Sequence, residues 1–208
     1  MLTVLGPAKA CAPLWHEALA SIPAAEQVFA ACLPAHRAFV DASIEFEQAD
    51  AMFRMRLEGD PAPLGATDTL GLTDLKALRA LYEDGIASGE APNFFDPSML
   101  ASGFYRGLRD QAGALASVAG THVVAGDVAA IGGVYTRRDA RGQGLGRRVT
   151  AAVAHDLRAR GKSTIVLNVR QGNLPAIRIY EQLGFVVHGA FDEGFARRRG
   201  PVAPSARA

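Results

Sequence analysis

Three glycines and five arginines lie close together in one short stretch of this chain. The glycines are Gly142, Gly144 and Gly146, directly before a helix-like apolar pattern, and the arginines all fall within positions 137–148. Glycines ahead of a helix leave backbone N–H groups free to face an anion, and the helix N-terminus adds the positive end of its dipole. Guanidinium groups add charge-assisted hydrogen bonds to phosphate. The stretch therefore predicts a turn that binds a phosphate or pyrophosphate group, with a glycine-rich solvent loop as the alternative.

Two common phosphate-binding fingerprints do not fit these residues. A dinucleotide-binding G-x-G-x-x-G pattern would need a glycine at Arg147, and no acidic residue ends the next predicted strand. The run Gly161-Lys162-Ser163 suggests a P-loop, but the earlier glycine of that motif would fall on Asp156, and the run follows a helix instead of preceding one. Gly161 is instead expected to end that helix. A nucleotide-dependent switch is therefore disfavoured.

The charge is distributed unevenly, although the formal net charge of the 208 residues is only +1. Residues 1–104 carry a net charge of −8 and residues 105–208 one of +9. The basic half is suited to an anionic ligand. We do not expect a nucleic-acid partner, because the positive charge is concentrated around the glycine turn and no basic face interleaved with aromatic residues is visible.

The composition, with 49% hydrophobic and 21% charged residues, is that of an ordinary globular protein. Cys11 and Cys32 are the only cysteines, which argues against a disulfide scaffold or a structural zinc site and favours the cytoplasm. No H-x-H or H-E-x-x-H pattern occurs, so no metal is expected. The apolar run 112–135 contains Asp127 and is interpreted as two strands instead of a membrane span, so no membrane partner is expected.

The second half of the chain predicts an α/β layered domain. Antiparallel hairpins come first and a strand-helix-strand crossover follows, so the sheet must be mixed, with its parallel pair formed by the strands that flank the central helix. The predicted order is strand 104–109, strand 115–124, strand 128–136, helix 145–160, strand 164–169, helix 174–183 and strand 185–191. Gly126 and Asp127 predict a hairpin between the second and third of these strands.

The first half is less regular. Helical patterns occur at 14–19, 24–33 and from Thr73 to Gly85, a strand pattern occurs at 51–57, and a Gly/Pro-rich connection covers 59–71. The segment 86–97, which contains Phe94 and Phe95, is predicted to be a loop. It could line a pocket, but simple packing is favoured.

The glycine turn resembles the acyl-CoA signature of the GNAT superfamily of N-acetyltransferases. That signature, Q/R-x-x-G-x-G/A, is matched by Arg141-Gly-Gln-Gly-Leu-Gly146. A second family segment, N-x-x-A-x-x-x-Y-x-x-x-G-F, is matched at every one of those positions by residues 173–185. Either half alone is moderate support, whereas both in order, separated by a helix and a strand, are strong support. The resemblance covers 104–191 and leaves the first fifty residues unexplained.

The resemblance implies a GNAT-like fold: a mixed, mostly antiparallel sheet with a central parallel strand pair splayed by a bulge, and helices on both faces. The pair Gly132-Gly133 weakens ordinary strand pairing and invites such a bulge, although it could instead relieve crowding against a helix. The family places the arm of acetyl-CoA in the resulting gap. The implied contacts with acetyl-CoA are Val134, Thr136, Arg141, Gly142, Gln143, Gly144, Leu145, Gly146, Arg147, Asn173 and Ala176.

Two residues are candidates for acid and base chemistry. Tyr180 lies on the apolar face of a predicted helix, which by itself favours a core role, but the matching family tyrosine protonates the departing thiolate. No family position supplies the base, and His122 is the best of five histidines by location, with a partly buried strand histidine as the favoured alternative. Asn173 precedes a Leu-Pro helix start and would cap the helix whatever the function.

The sequence as a whole predicts an enzyme that transfers an acetyl group from acetyl-CoA to a primary amine of a small molecule or peptide. The alternative is a non-catalytic acyl-CoA-binding regulatory module. Residues 1–47 are expected to form a helical and strand extension that helps to shape the acceptor pocket, residues 48–196 the N-acetyltransferase domain, and residues 197–208 a flexible tail. The acceptor is not specified, and a homodimer is left open.

Overall fold

The computed structural model describes residues 2–4, 6–23, 26–86, 88–92 and 95–199. Phe94 and residues 200–208 of the predicted tail lie outside these described residues. The helices and strands are β1 (Leu2–Val4), α1 (Ala8–Ala20), β2 (Gln27–Cys32), α2 (Arg37–Ser43), β3 (Ile44–Leu57), β4 (Asp68–Leu70), α3 (Leu75–Ile86), β5 (Tyr105–Arg109), β6 (Leu115–Ala125), β7 (Val128–Thr136), α4 (Leu145–Ala159), β8 (Thr164–Arg170), α5 (Leu174–Gln182) and β9 (Phe185–Arg198). None of these helices is long and apolar enough to cross a membrane.

The chain forms two compact units, and β3 and β9 contribute residues to both. The first unit comprises residues 1–53, 170–172 and 189–208. In it, β2 pairs in parallel with β1 and antiparallel with β9. Its core packs apolar side chains from α1, β2 and α2, including Trp15, Val40, Cys11 and Cys32. The Trp15 indole N–H donates to Ser43 Oγ at 2.7 Å, so the one polar atom of this large ring is satisfied.

The prediction of a helix at 24–33 is wrong, because residues 27–32 form β2. The run Val-Phe-Ala-Ala-Cys is apolar throughout, so its periodicity cannot separate a buried strand from a buried helix. Pairing with β9, which joins Gln27 to Arg197 and Cys32 to Asp192, decides the matter. The same pairing extends β9 through Arg198, so the first two residues of the predicted tail belong to a strand.

The second unit comprises residues 54–169 and 173–188, and it contains the mixed sheet. Its strands follow the order β9, β3, β8, β7, β6, β5 and β4. The pairs from β4 to β7 are antiparallel, and β7 and β8, which flank α4, are parallel as predicted. The predicted hairpin is confirmed, since Ala125 pairs with Val128 and Gly126 has a φ of +54°.

Helices α3 and α4 pack on opposite faces of β6 and β7. The alternation of β7 side chains shows the two faces. The Tyr135 ring lies against Gly85 of α3, whereas Thr136 Oγ1 lies against Gly146 of α4. The α3 face is an apolar cluster that buries Leu70, Leu78, Leu81, Tyr82, Leu100, Tyr105, Leu115, Val118 and Tyr135. The fold implied by the GNAT resemblance is therefore confirmed.

Candidate acyl-CoA site

The parallel strands β7 and β8 part in the middle of the sheet. They pair from Val128 with Thr164 to Ile131 with Leu167. Beyond this point β7 continues to Thr136 and β8 to Arg170. The parting begins at Gly132, as predicted from the glycine pair.

A bulge on β7 coincides with the parting. In the pairing with β6, Val118 faces Tyr135 and Gly120 faces Gly132. Between these two pairs β7 advances by three residues and β6 by only two, so β7 contains one additional residue. Gly133 takes up the extra length with a φ of +62°, a conformation that L side chains rarely adopt. The predicted bulge is therefore confirmed, and only glycine fits its centre without strain.

A second bulge, on β6, sets the position of His122. Thr121 faces Ile131 and Val123 faces Ala130, so His122 is the additional residue of β6. Its imidazole lies directly over Gly132 and occupies the space that any side chain at Gly132 would need. The residue keeps an exposed edge, and desolvation of its packed side lowers the pKa of the imidazole from 6.5. The structure thus places a neutral imidazole beside the parting of β7 from β8.

Two buried tyrosines that the sequence analysis missed surround the bulge from the α3 face. Tyr82 donates its hydroxyl proton to the Gly133 carbonyl at 2.8 Å. A Cβ atom at Gly133 would lie 2.8 Å from the Tyr105 hydroxyl and 2.9 Å from that of Tyr82. Burial raises the pKa of Tyr105 to about 12 and that of Tyr82 well above 10. Tyr82 continues the helical stripe of Leu78 and Leu81, but that pattern predicts burial and not the carbonyl contact.

Asp84 of α3 holds the segment that follows the bulge. Its Oδ2 accepts hydrogen bonds from the Tyr135 hydroxyl at 2.7 Å and from the Arg138 backbone N–H at 3.1 Å. The Tyr135 bond, followed by the Arg138 backbone bond, lowers the pKa of Asp84 below 3.8. Burial and the neighbouring Asp84 raise the pKa of Tyr135 to about 12. The phenol therefore remains a proton donor and the carboxylate an acceptor at neutral pH.

The glycine turn has the open geometry that anion binding requires. Gly142 and Gly144 have φ values of +78° and +73°, and a Cβ atom at either would meet nothing within 4 Å. Gly144 is the N-cap residue of α4, so the first N–H groups of that helix have no intrahelical partner. Gly146 packs closely, because its Cβ would lie 3.1 Å from Thr136 Oγ1. The turn therefore lies against the end of β7, and the predicted residues Gln143 and Leu145 lie within it.

The arginines around the turn are less available to a phosphate than their sequence spacing indicated. Arg141 binds both carboxylate oxygens of Glu90, at 3.1 and 3.0 Å, and donates to the Thr136 carbonyl at 3.2 Å. Arg137 and Arg138 are paired with aspartates as well. Arg147 and Arg148 donate only to neutral oxygens, those of Gln182 and Ala66, and each has a buried Nε without a hydrogen-bond partner among the described residues. Since Arg148 extends toward Gly65, Arg147 is the better candidate for phosphate contact.

Helix α5 carries the second matched motif. Asn173 Oδ1 accepts the backbone N–H of Ala176 at 3.2 Å, so the predicted cap is confirmed. Tyr180 is 7% exposed, packs edge-to-face on Phe185 with ring centroids 6.1 Å apart, and has its pKa raised by burial to about 12. Its hydroxyl has no hydrogen-bond partner within the described part of the chain. Apolar packing explains the position of the ring, whereas no contact with a described residue explains the position of the hydroxyl.

Several predicted site residues are brought together. Val134 and Thr136 follow the bulge on β7, Thr136 contacts the glycine turn, and α5 contacts α4, where Arg147 donates to Gln182 at 3.2 Å.

Among the residues that the structure describes, no group of three or more His, Cys, Asp or Glu side chains could hold a metal ion.

The chain is similar to known proteins in sequence and in fold. Residues 103–192 match the family described as FR47-like protein. The mycothiol acetyltransferase of Rhodococcus jostii strain RHA1 is 39% identical over 106 residues, which cover 50% of this chain and 34% of that protein. A solved structure from Novosphingobium aromaticivorans is described as a putative acetyltransferase from the GNAT family. It has a TM-score of 0.72 at 22% identity, and the match covers 92% of this chain and 82% of the Novosphingobium chain. A GCN5-related N-acetyltransferase from Kribbella flavida has a TM-score of 0.61 at 19% identity, and the match covers 96% of this chain and 79% of the Kribbella chain.

These likenesses confirm the resemblance that the two motifs indicated. The fold is that of the GNAT acetyltransferases, and residues 103–192 carry the FR47-like sequence pattern within it. The matched part of the chain spans about a third of the length of the Rhodococcus jostii relative, 34%.

Proposed function

We propose that the protein is an acyl-CoA-dependent N-acetyltransferase that transfers the acetyl group of acetyl-CoA to a primary amine of a small molecule or peptide. The observation that carries this proposal is the parting of β7 from β8 at Gly132, on a strand whose last residue, Thr136, lies against the glycine turn at the start of α4. An extended acyl-CoA arm needs unpaired strand backbone, and its pyrophosphate needs N–H donors at a helix N-terminus. Both features occur here within one continuous segment of chain.

The fit of acetyl-CoA can be stated residue by residue. Val134 and Thr136 would bind the arm through their main chain, and the backbone of 142–147 would bind the pyrophosphate. Arg147 would add charge, whereas the Arg141 side chain is held by Glu90, which leaves its main chain for the phosphate. Asn173 and Ala176 would border the arm from the start of α5.

The transfer needs an acid and a base. The amine nitrogen forms a bond with the thioester carbonyl carbon, the carbon–sulfur bond breaks, and the thiolate takes up a proton. Tyr180 is proposed to donate that proton, because its phenol is neutral at physiological pH and its hydroxyl is not tied to another described residue. His122 is proposed to accept the proton that the amine loses, because its lowered pKa keeps the ring neutral.

One observation supports the choice of acceptor, and another supports the reaction. The net charge of −8 in residues 1–104 favours a cationic substrate such as an amine. The name of the relatives, mycothiol acetyltransferase, supports acetyl transfer by this chain.

The proposal is tested by measuring coenzyme A release from acetyl-CoA across a panel of primary amines, with product detection by mass spectrometry and acetyl-CoA binding by calorimetry. We expect saturable binding and an acetylated amine for at least one acceptor. Binding without transfer to any acceptor would favour the non-catalytic acyl-CoA-binding module. Absence of binding would overturn the assignment of the site itself.

A further inference from the structure

Helix α3 forms hydrogen bonds with the bulge of β7 and with the residues that follow it, a feature that neither matched motif contains. Tyr82 holds the Gly133 carbonyl at 2.8 Å. Two residues further along α3, Asp84 accepts hydrogen bonds from the Tyr135 hydroxyl at 2.7 Å and from the Arg138 N–H at 3.1 Å. Two side chains of one helix thus bind the centre of the bulge, the Tyr135 side chain and the main chain just after β7.

The Tyr82 bond determines the orientation of one peptide group. The Gly133–Val134 peptide is trans and planar, so its N–H points away from its carbonyl oxygen. Because Tyr82 holds the carbonyl toward α3, the Val134 N–H is directed away from α3. Val134 is one of the two residues whose main chain is proposed to pair with the acyl-CoA arm. A side chain of α3 therefore sets the direction of the Val134 N–H, which would donate a hydrogen bond to that arm.

Loss of the hydrogen bond between Tyr82 and Gly133 would also be energetically costly. Tyr82 and Gly133 are both buried, and the bond between them excludes water. A buried carbonyl that loses its donor is costly, and rotation of the Gly133–Val134 peptide would lower that cost by turning the carbonyl toward another donor. Loss of the Tyr82 hydroxyl would therefore change the geometry of β7 and not only its packing.

We propose that Tyr82 and Asp84 are positioning residues that hold β7 parted from β8 and orient the Gly133–Val134 peptide toward the acyl group. This inference rests on the proposed function, since it assigns the two residues a part in the same transfer. Neither residue is assigned a contact with the reacting atoms. Tyr82 acts through the backbone of β7, and Asp84 acts through the Tyr135 side chain and the main chain that follows β7.

The first test is Tyr82→Phe, with Leu78→Val as the matched control. Both changes lie in the same buried cluster of α3, but only the first removes a bond to β7. We expect Tyr82→Phe to lower kcat about 10-fold, to raise the dissociation constant for acetyl-CoA about 5-fold, and to leave the KM for the amine within about 2-fold. Leu78→Val should lower the melting temperature and leave kcat per folded molecule unchanged. An equal kcat for the two variants would overturn the proposal.

Asp84 offers a second test that includes a rescue. Asp84→Ala removes the acceptor for Tyr135 and Arg138, whereas Asp84→Asn keeps a carbonyl oxygen in the same place. We expect kcat of Asp84→Asn to be closer to wild type than that of Asp84→Ala by about 5-fold. Equal losses in the two variants would show that the carboxylate charge, and not the bond to β7, matters, and would remove Asp84 from the proposal.

Hydrogen exchange separates this inference from the proposed function, because it requires no substrate. We expect Tyr82→Phe to accelerate amide exchange of residues 132–136 about 10-fold relative to Leu78→Val. If wild type transfers acetyl to no amine, the proposed function fails, and this measurement alone decides whether Tyr82 positions β7. Unchanged exchange in Tyr82→Phe would overturn the positioning role whatever the activity.

Discussion

The two sides of the candidate site are built in different ways. The glycine turn at 142–146 uses main-chain N–H groups and backbone conformations that its own residues provide. The α3 side uses side chains that reach residues 51 positions away along the chain, as Tyr82 does with Gly133 and Asp84 with Tyr135. The turn is therefore specified locally, whereas the shape of β7 depends on packing. Mutations of the glycine turn should affect mainly cofactor binding, whereas mutations on the α3 side should affect mainly turnover, with a smaller effect on binding.

The largest expected effect is on the glycine turn. Gly144→Val should abolish acetyl-CoA binding, because a branched side chain is strained at a φ of +73° and would fill the space in front of the N–H groups. Gly161→Val is the matched control, since Gly161 has a φ of +77°, equally open surroundings and a place at the other end of α4. Calorimetry on folded protein should show binding only for the control. Near-normal affinity in Gly144→Val would refute the phosphate assignment.

Tyr180 should show the opposite pattern to Gly144. Tyr180→Phe keeps the apolar ring on Phe185 and removes only the proton donor, so turnover should fall about 10² to 10⁴-fold. Acetyl-CoA affinity and melting temperature should remain near wild type. Full activity per folded molecule, measured with any accepted amine, would remove Tyr180 from the mechanism.

His122 predicts a specific pH dependence. Burial lowers its pKa from 6.5, and the neutral ring is the form that accepts a proton, so kcat/KM should be constant above this pKa and should fall as pH drops through it. His122→Gln should lower kcat/KM about 10²-fold at neutral pH and remove this acidic limb. His155→Gln, at an exposed position of α4, is the control and should keep the wild-type profile. An unchanged limb in His122→Gln would assign the base elsewhere.

The smallest expected effect is the loss of acetyl-CoA affinity when either of two arginines of the turn is replaced. Arg147→Ala should weaken acetyl-CoA binding by about 1 to 3 kcal/mol, and the loss should shrink at high salt. Arg141→Ala should cost less, because its guanidinium is already bound by Glu90. Titrations of both variants at two salt concentrations measure the difference. A larger loss for Arg141 would mean that the Glu90 pair opens when acetyl-CoA binds.

Much of the second unit could be predicted because its signals are local. The bounds of β7 agree with the prediction at both ends, and those of α4, β8 and α5 agree to within one residue. Glycine at 126 and 144, Pro175 and Asn173 each act within a few residues of their own position. The helix predicted at 24–33 was wrong, because a short apolar run contains no periodicity that separates a helix from a strand.

The sequence by itself determined the glycine turn, the β6–β7 hairpin and the bulge-forming glycine pair, since φ freedom and helix periodicity are properties of neighbouring residues. Only the tertiary structure decided that Glu90 binds Arg141, that Tyr82 binds Gly133 and that residues 27–32 form a strand. Each of these contacts joins residues more than fifty positions apart or depends on strand pairing. No local pattern records which distant partner satisfies a buried carbonyl, a guanidinium or an unpaired strand, because that choice depends on how the remaining elements pack.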